Sequence, residues 1–180
     1  VAVRIEGYLV EGKLAAALRE IVGDRWTGTE LKVSGTRRRW DMGFVDGDRR
    51  VVVEFDGDEH YRNTMKIKAD REKDGVAASE GLRVVRVPYW VQLDSVTFRH
   101  FFGFDTEIEQ DFPHGFITTK IFPASCCELG VQRFTRELAE LPPVVREAVR
   151  GSLRDRVVEH GIEYVVPAGL RHLVLETGLS

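Results

Sequence analysis

The sequence predicts an α/β domain, a mixed sheet flanked by helices, followed by a mainly helical C-terminal extension. Three observations carry that prediction. Apolar residues recur at helical spacing in "EGKLAAALREIVGD", three short β-prone runs follow, and a charged helical stretch then leads into the apolar run "LRVVRVPYW". At 180 residues the chain can bury one good core and carry an appendage, but it is short for two full domains.

Leu14, Leu18, Ile21 and Val22 mark the inner face of a first helix over residues 11 to 22, with Gly23 as its stop. The runs "ELKVSG", "RRRWDMGFV" and "RRVVVEFDG" read as strands, and the turn sequence "DGD" between the last two predicts an antiparallel hairpin. In "NTMKIKADREKDGVAASEG", Asn63 or Thr64 caps a charged helix. Met65, Ala69, Val76 and Ala77 are its expected inner side, and Gly75 weakens its middle. "LRVVRVPYW" is a buried strand ended by Pro88, so residues 11 to 90 run helix, three strands, helix, strand.

A short helix is expected in "DSVTFRHFFG", capped by Asp94 or Ser95, and an irregular segment in "DFPHGFITTKIFPAS". A boundary near residue 105 divides a core of residues 1–105 from an extension of residues 106–180. In the extension, "ELGVQRFTRELAEL" and "PPVVREAVRGSLRDRVVEHG" predict two amphipathic helices.

With 43% hydrophobic and 31% charged residues the composition is that of a soluble globular protein, and its net charge of −3 advertises no global basic field. No stretch reaches the apolar length of a membrane span, and "VAVRIEGYLVEGK" has no signal-peptide core, so a cytoplasmic protein with no membrane partner is expected. Cys126 and Cys127 are adjacent, which strains any bridge between them; they read as reduced thiols. His100, His114, His160 and His172 stand at no metal-ligand spacing.

The informative stretch is "VVVEFDGDEHY", residues 51 to 61, where four acids follow three valines. Strand alternation points Glu54 and Asp56 to one face, and the hairpin brings Asp41 alongside from the neighbouring strand. Three gathered carboxylates need neutralising, and hard oxygen ligands of this kind suit Mg2+ or Mn2+. The competing reading is a solvated strand end whose acids pair with Arg37, Arg38 and Arg39.

The string "WDMGF…VVVEFDGDEHY…DREKDGVAASEGLRVVRVPYW" resembles the PD-(D/E)XK nuclease superfamily, in its small branch related to very-short-patch repair endonucleases and compact homing or restriction-type enzymes. The resemblance covers residues 11 to 93 and implies a restriction-endonuclease-like core, with the same element order read above from periodicity. It implies that Asp41, Glu54 and the Phe55 backbone carbonyl hold Mg2+ (or Mn2+), that Glu11 approaches the same site, and that the substrate is double-stranded DNA. Two departures stand out: Trp40 occupies the motif proline position, and Asp56 the motif lysine position. Asp56 is then expected to bind metal or orient water, and His60, ahead of Lys66 and Lys68, to supply the missing polar or cationic group.

Arg37, Arg39, Lys66, Lys68 and Arg71 are candidates for contacts to the DNA backbone, while Asp70, Arg71 and Asp74 otherwise read as a solvated helix face. Cutting both strands from one site invites a homodimer. The expectation is a Mg2+-dependent deoxyribonuclease. The alternatives are a catalytically inactive DNA-binding or partner-recruiting relative, and an enzyme acting on RNA or another phosphate ester.

Overall fold

The computed structural model describes residues 2–32, 37–111 and 121–175. The chain forms β1 (Val3–Ile5), α1 (Glu11–Val22), β2 (Trp26–Lys32), β3 (Arg39–Asp46) and β4 (Arg49–Asp56). A single turn of helix, α2 (Glu59–Arg62), then precedes α3 (Thr64–Ser79), β5 (Arg83–Pro88), α4 (Ser95–Phe102) and β6 (Ile108–Gln110). The C-terminal segment holds α5 (Glu128–Glu140), α6 (Pro143–His160), α7 (Ile162–Val165) and α8 (His172–Leu175).

This is an α/β architecture around a mixed four-stranded sheet of order β2-β3-β4-β5. The first three strands are antiparallel neighbours, and β5 runs parallel to β4 after the crossover through α2 and α3. The three consecutive valines of β4 are buried because both faces of the sheet are covered. Val51 and Val53 join Leu14 and Leu18 of α1 in the main core, whereas Val52 joins Trp40, Ala77 and Leu82 beneath α3.

Asn63 caps α3, its side chain accepting from the backbone N–H groups of Met65 and Lys66. The helix departs from the expectation in its first half: Met65 is 73% exposed, while Ile67 and Asp70 are buried along with the expected Ala77. Ile67, Asp70, Asp74 and Ala77 follow the i, i+3, i+7, i+10 stripe of a helix face, and two of the four are acids. That face meets charged groups at the end of the sheet: of the expected inner residues Ala77 is buried, Val76 packs on the same cluster and Ala69 is half-buried, while Met65 points outward and the acids of the face go unseen by apolar periodicity.

A two-stranded parallel sheet of β1 and β6, unforeseen in the sequence, joins residues on both sides of position 105. Phe134, Leu138, Leu141 and Val149 also share one hydrophobic cluster with α1 and β4. The C-terminal segment is helical and continuous with the core. The expected irregular segment falls largely on residues 112–120, outside the described residues, as does His114. No helix among the described residues is long and apolar enough to cross a membrane.

Candidate metal centre and its adjoining ion network

Asp41 on β3 and Glu54 on β4 sit where the β3–β4 ladder ends: its last paired residues at that end are Met42 and Val53. Side chains take over there. The Phe55 backbone N–H donates to Asp41 Oδ2 at 2.8 Å, and the Asp41 backbone N–H donates to Glu54 Oε1 at 3.2 Å. Lys73 Nζ of α3 donates to the same Glu54 Oε1 at 2.6 Å and lies 5.3 Å from the centre of the Trp40 ring. Asp41 Oδ1 and Glu54 Oε2 accept no hydrogen bond from any described residue.

Glu54 is 3% exposed. Burial, and next the charge of Asp41, push its pKa above the usual carboxylate value, with Lys73 and Arg86 opposing. Glu11, exposed at the start of α1, is raised by partial burial and by the charges of Asp41 and Glu30. Glu11, Asp41 and Glu54 are therefore electrostatic neighbours, although their ligand atoms do not gather as a trio within 4.8 Å.

Asp56 belongs to a different cluster. It is 0% exposed, accepting from Arg86 Nη1 at 2.7 Å on Oδ1 and from Arg133 Nη2 on Oδ2. His60 Nδ1 lies 3.0 Å from Asp56 Oδ1 and 2.6 Å from Asp70 Oδ2, which also accepts from Arg133 Nη1 at 2.9 Å. Arg86 grips Asp74 with Nε and Nη2, and Arg133 Nε reaches Glu137 Oε1 at 2.7 Å. The Tyr61 hydroxyl donates to Glu137 Oε2 at 2.5 Å.

Ligand atoms of Asp56, His60 and Asp70 lie within 4.8 Å of one another, a spacing that suits a metal ion. Two guanidinium groups already fill that role: both Asp56 oxygens and Asp70 Oδ2 accept from Arg86 or Arg133. The donor set fits an ion network held by arginines better than a cation site. Burial raises the Asp70 pKa, but the His60 hydrogen bond and the charges of Arg86, His60 and Arg133 outweigh it and leave the value low. Burial works against the charged forms of Arg86 and Arg133, yet Asp56 and the other acids hold both above the usual arginine value. Glu137 is raised by burial despite Arg133.

The predicted residues thus divide. Asp41, Glu54 and Glu11 stand together with the half-buried Phe55, whereas Asp56 and His60 are buried in the neighbouring network. Of the three residues expected on a solvated face, Arg71 is exposed, Asp74 is partly exposed but gripped by Arg86, and Asp70 is buried. Lys66, Lys68 and Arg71 are exposed on the outer side of α3, and Lys73, rather than His60, Lys66 or Lys68, reaches Glu54. Arg37 is exposed, and Arg39 is exposed and paired with Glu30 at 2.7 Å.

Lys73, Arg86 and Arg133 escaped the sequence reading, though two left a signal. Lys73 precedes the inner residue Ala77 by four positions, and Arg133 lies on the stripe of Gly130, Phe134 and Leu138. Comparison with protein-family models, with curated proteins and with solved structures found no match.

Proposed function

We propose that the protein is a metal-dependent endonuclease that hydrolyses phosphodiester bonds in double-stranded DNA, built on a restriction-endonuclease-like core of the PD-(D/E)XK type. The observation that carries this reading is the pairing of Asp41 with Glu54. Two partly or wholly buried carboxylates are held side by side, each with one oxygen that accepts no hydrogen bond from the described residues, and burial, then the charge of Asp41, keep the Glu54 pKa raised despite Lys73.

Those oxygens, with the Phe55 carbonyl and with Glu11 at the margin, are a hard donor set that fits Mg2+ or Mn2+. Such an ion would offset charge on the scissile phosphate and lower the pKa of the attacking water. The Phe55 and Asp41 N–H groups hold the two carboxylates in place, so their orientation is fixed before substrate arrives. Hydrolysis joins the water oxygen to phosphorus and releases the bridging ester oxygen with its electron pair; the water supplies the proton that oxygen takes up. Arg37, Lys66, Lys68 and Arg71 are exposed cations suited to phosphate contacts that position the duplex. A homodimer would cut both strands, and the proposal places the protein in the cytoplasm.

The test is incubation of supercoiled plasmid and linear duplex, and of RNA for comparison, with wild type, Asp41→Ala and Glu54→Ala in Mg2+ or Mn2+. Wild type should cleave DNA and both variants should not. Cleavage that survives both substitutions removes the site assignment. Duplex binding without cleavage by wild type in either metal supports the non-catalytic DNA-binding reading instead.

A further inference from the structure

We propose that the buried network of Asp56, Arg86, Asp70 and Arg133 positions Lys73 as the cationic group of the candidate centre, which makes Arg133 of the C-terminal segment a positioning residue for hydrolysis. The inference rests on the nuclease reading for its chemistry and on its own geometry for the positioning. A lysine has four rotatable side-chain bonds, and fixing its ammonium at one point costs about 2 kcal/mol of rotamer entropy. Lys73 Nζ is nonetheless held 2.6 Å from Glu54 and over the Trp40 ring, with its side chain 15% exposed.

Hydrophobic packing seats α3 through Ile67, Val76 and Ala77, and charged contacts hold the stretch between. Between the buried Ile67 and Ala77, the inward positions of α3 carry Asp70, Lys73 and Asp74. Asp70 and Asp74 stand three residues before Lys73 and one after it, and each is gripped by an arginine from another element. Arg133 of α5 holds Asp70 at 2.9 Å, and Arg86 of β5 holds Asp74 at 2.8 Å. The same two guanidiniums converge on Asp56, which anchors them to β4 two residues beyond Glu54.

Asp56, where the resemblance expects lysine, thus anchors the arginines that fix the helix delivering a lysine from elsewhere. An ammonium beside Glu54 would face the negative charge that develops on the phosphate during attack. Loss of Arg133 would leave Asp70 and Asp56 short of positive charge, and the Lys73 segment of α3 would shift away from Glu54.

Lysine-selective 15N–1H spectra of the ammonium groups provide a readout independent of activity. Wild type should show one slowly exchanging NH3+ signal that is absent in Lys73→Arg. In Arg133→Gln that signal should shift or vanish while circular dichroism and calorimetric Mn2+ binding stay as in wild type. With DNA, Lys73→Met and Arg133→Gln should each lower kcat by about 10²-fold, with KM for Arg133→Gln unchanged. If Arg133→Gln does not fold, Asp70→Asn, which removes the Arg133 partner on α3 without adding an ammonium, carries the same comparison.

An ammonium signal and kcat unchanged in the Arg133 variant overturn the proposal, as does wild-type cleavage by Lys73→Met. Failure of the nuclease reading has a different signature: no cleavage by wild type on any substrate. The ammonium spectra then still decide whether Arg133 positions Lys73.

Discussion

Asp41 and Glu54 are joined where the β3–β4 ladder ends: the Asp41 backbone N–H donates to the Glu54 carboxylate at 3.2 Å, and the Asp41 carboxylate takes the N–H of Phe55, the residue after Glu54. A pair of strands normally closes such positions with backbone bonds alone. Substituting carboxylates for carbonyls fixes two like charges beside each other, an arrangement that lowers stability and that Lys73 relieves only in part.

That repulsion has a pH signature. Burial, then Asp41, raise Glu54 above its unfolded value. A carboxyl raised in this way contributes stability that is fully present below the unfolded pKa and is lost as the pH rises through the folded one. Glu54→Gln is neutral throughout, so its melting temperature should gain on wild type as the pH goes from about 4 to about 8 without divalent ions. Mn2+ at about ten times its Kd should stabilise wild type by about 1.4 kcal/mol and leave Glu54→Gln unmoved. A difference that is flat with pH, or slopes the other way, contradicts the account.

Asp70 should show the opposite slope. Although burial raises its pKa, the His60 hydrogen bond and the two arginines leave the value low, so its stabilisation is present above the unfolded carboxylate range and is lost as the pH falls through the folded value. Asp70→Asn should cost about 3 kcal/mol near pH 7, because Arg133 loses a buried partner. As the pH falls below about 4 the variant and wild type should draw progressively together in urea unfolding. A constant deficit down to about pH 2 would assign the loss to packing instead.

Much of the fold is legible in the sequence wherever apolar periodicity sets the structure. Leu14 and Leu18 mark α1, and the valines of β4 mark a strand buried on both faces. Asp41 and Glu54 are legible because a tight hairpin leaves few ways to pair their strands. On α3 apolar periodicity finds Ala77 and Val76 but misses Asp70 and Asp74 on the inner face and places Met65 on the wrong side. Strand alternation correctly sends Asp56 to the same side as Glu54, but it says nothing of Arg133, which arrives from 77 residues away. Contacts of that range have no local signal, and β1 pairing with β6 is hidden for the same reason.

The seat of α5 depends on one glycine. A Cβ at Gly130 would lie 1.6 Å from the Tyr61 carbonyl oxygen, so α5 approaches α2 backbone to backbone. The Cys127 N–H donates to that same oxygen at 3.0 Å. Backbone cannot yield as a flexible side chain can, and Gly130→Ala should cost about 3 kcal/mol or more. Gly75, exposed in the middle of α3 with nothing within 4 Å of its Cβ position, is the control: Gly75→Ala should stabilise by about 0.5–1 kcal/mol. Chemical denaturation of the two variants should move in opposite directions, and a neutral Gly130→Ala would contradict the close approach.

The helical C-terminal segment should be indispensable to the fold of the sheet beneath it. Residues 2–111 alone would lose Phe134, whose ring centroid lies 4.3 Å from that of the buried Trp90, and Leu138 and Leu141 of the same cluster. They would also lose Arg133, leaving Asp56 and Asp70 with Arg86 and His60 against two carboxylates that three cationic or hydrogen-bonding side chains hold in the full chain. Exposed aromatic surface and an under-neutralised buried carboxylate act in the same direction, and breaking such a pair by itself costs about 3–5 kcal/mol, a large share of the stability of an ordinary domain. A fragment ending at residue 111 should therefore give a collapsed 15N–1H spectrum and bind a hydrophobic dye, whereas the full chain gives dispersed peaks. A dispersed, cooperatively melting fragment would instead make residues 2–111 an autonomous unit whose fold does not need Arg133.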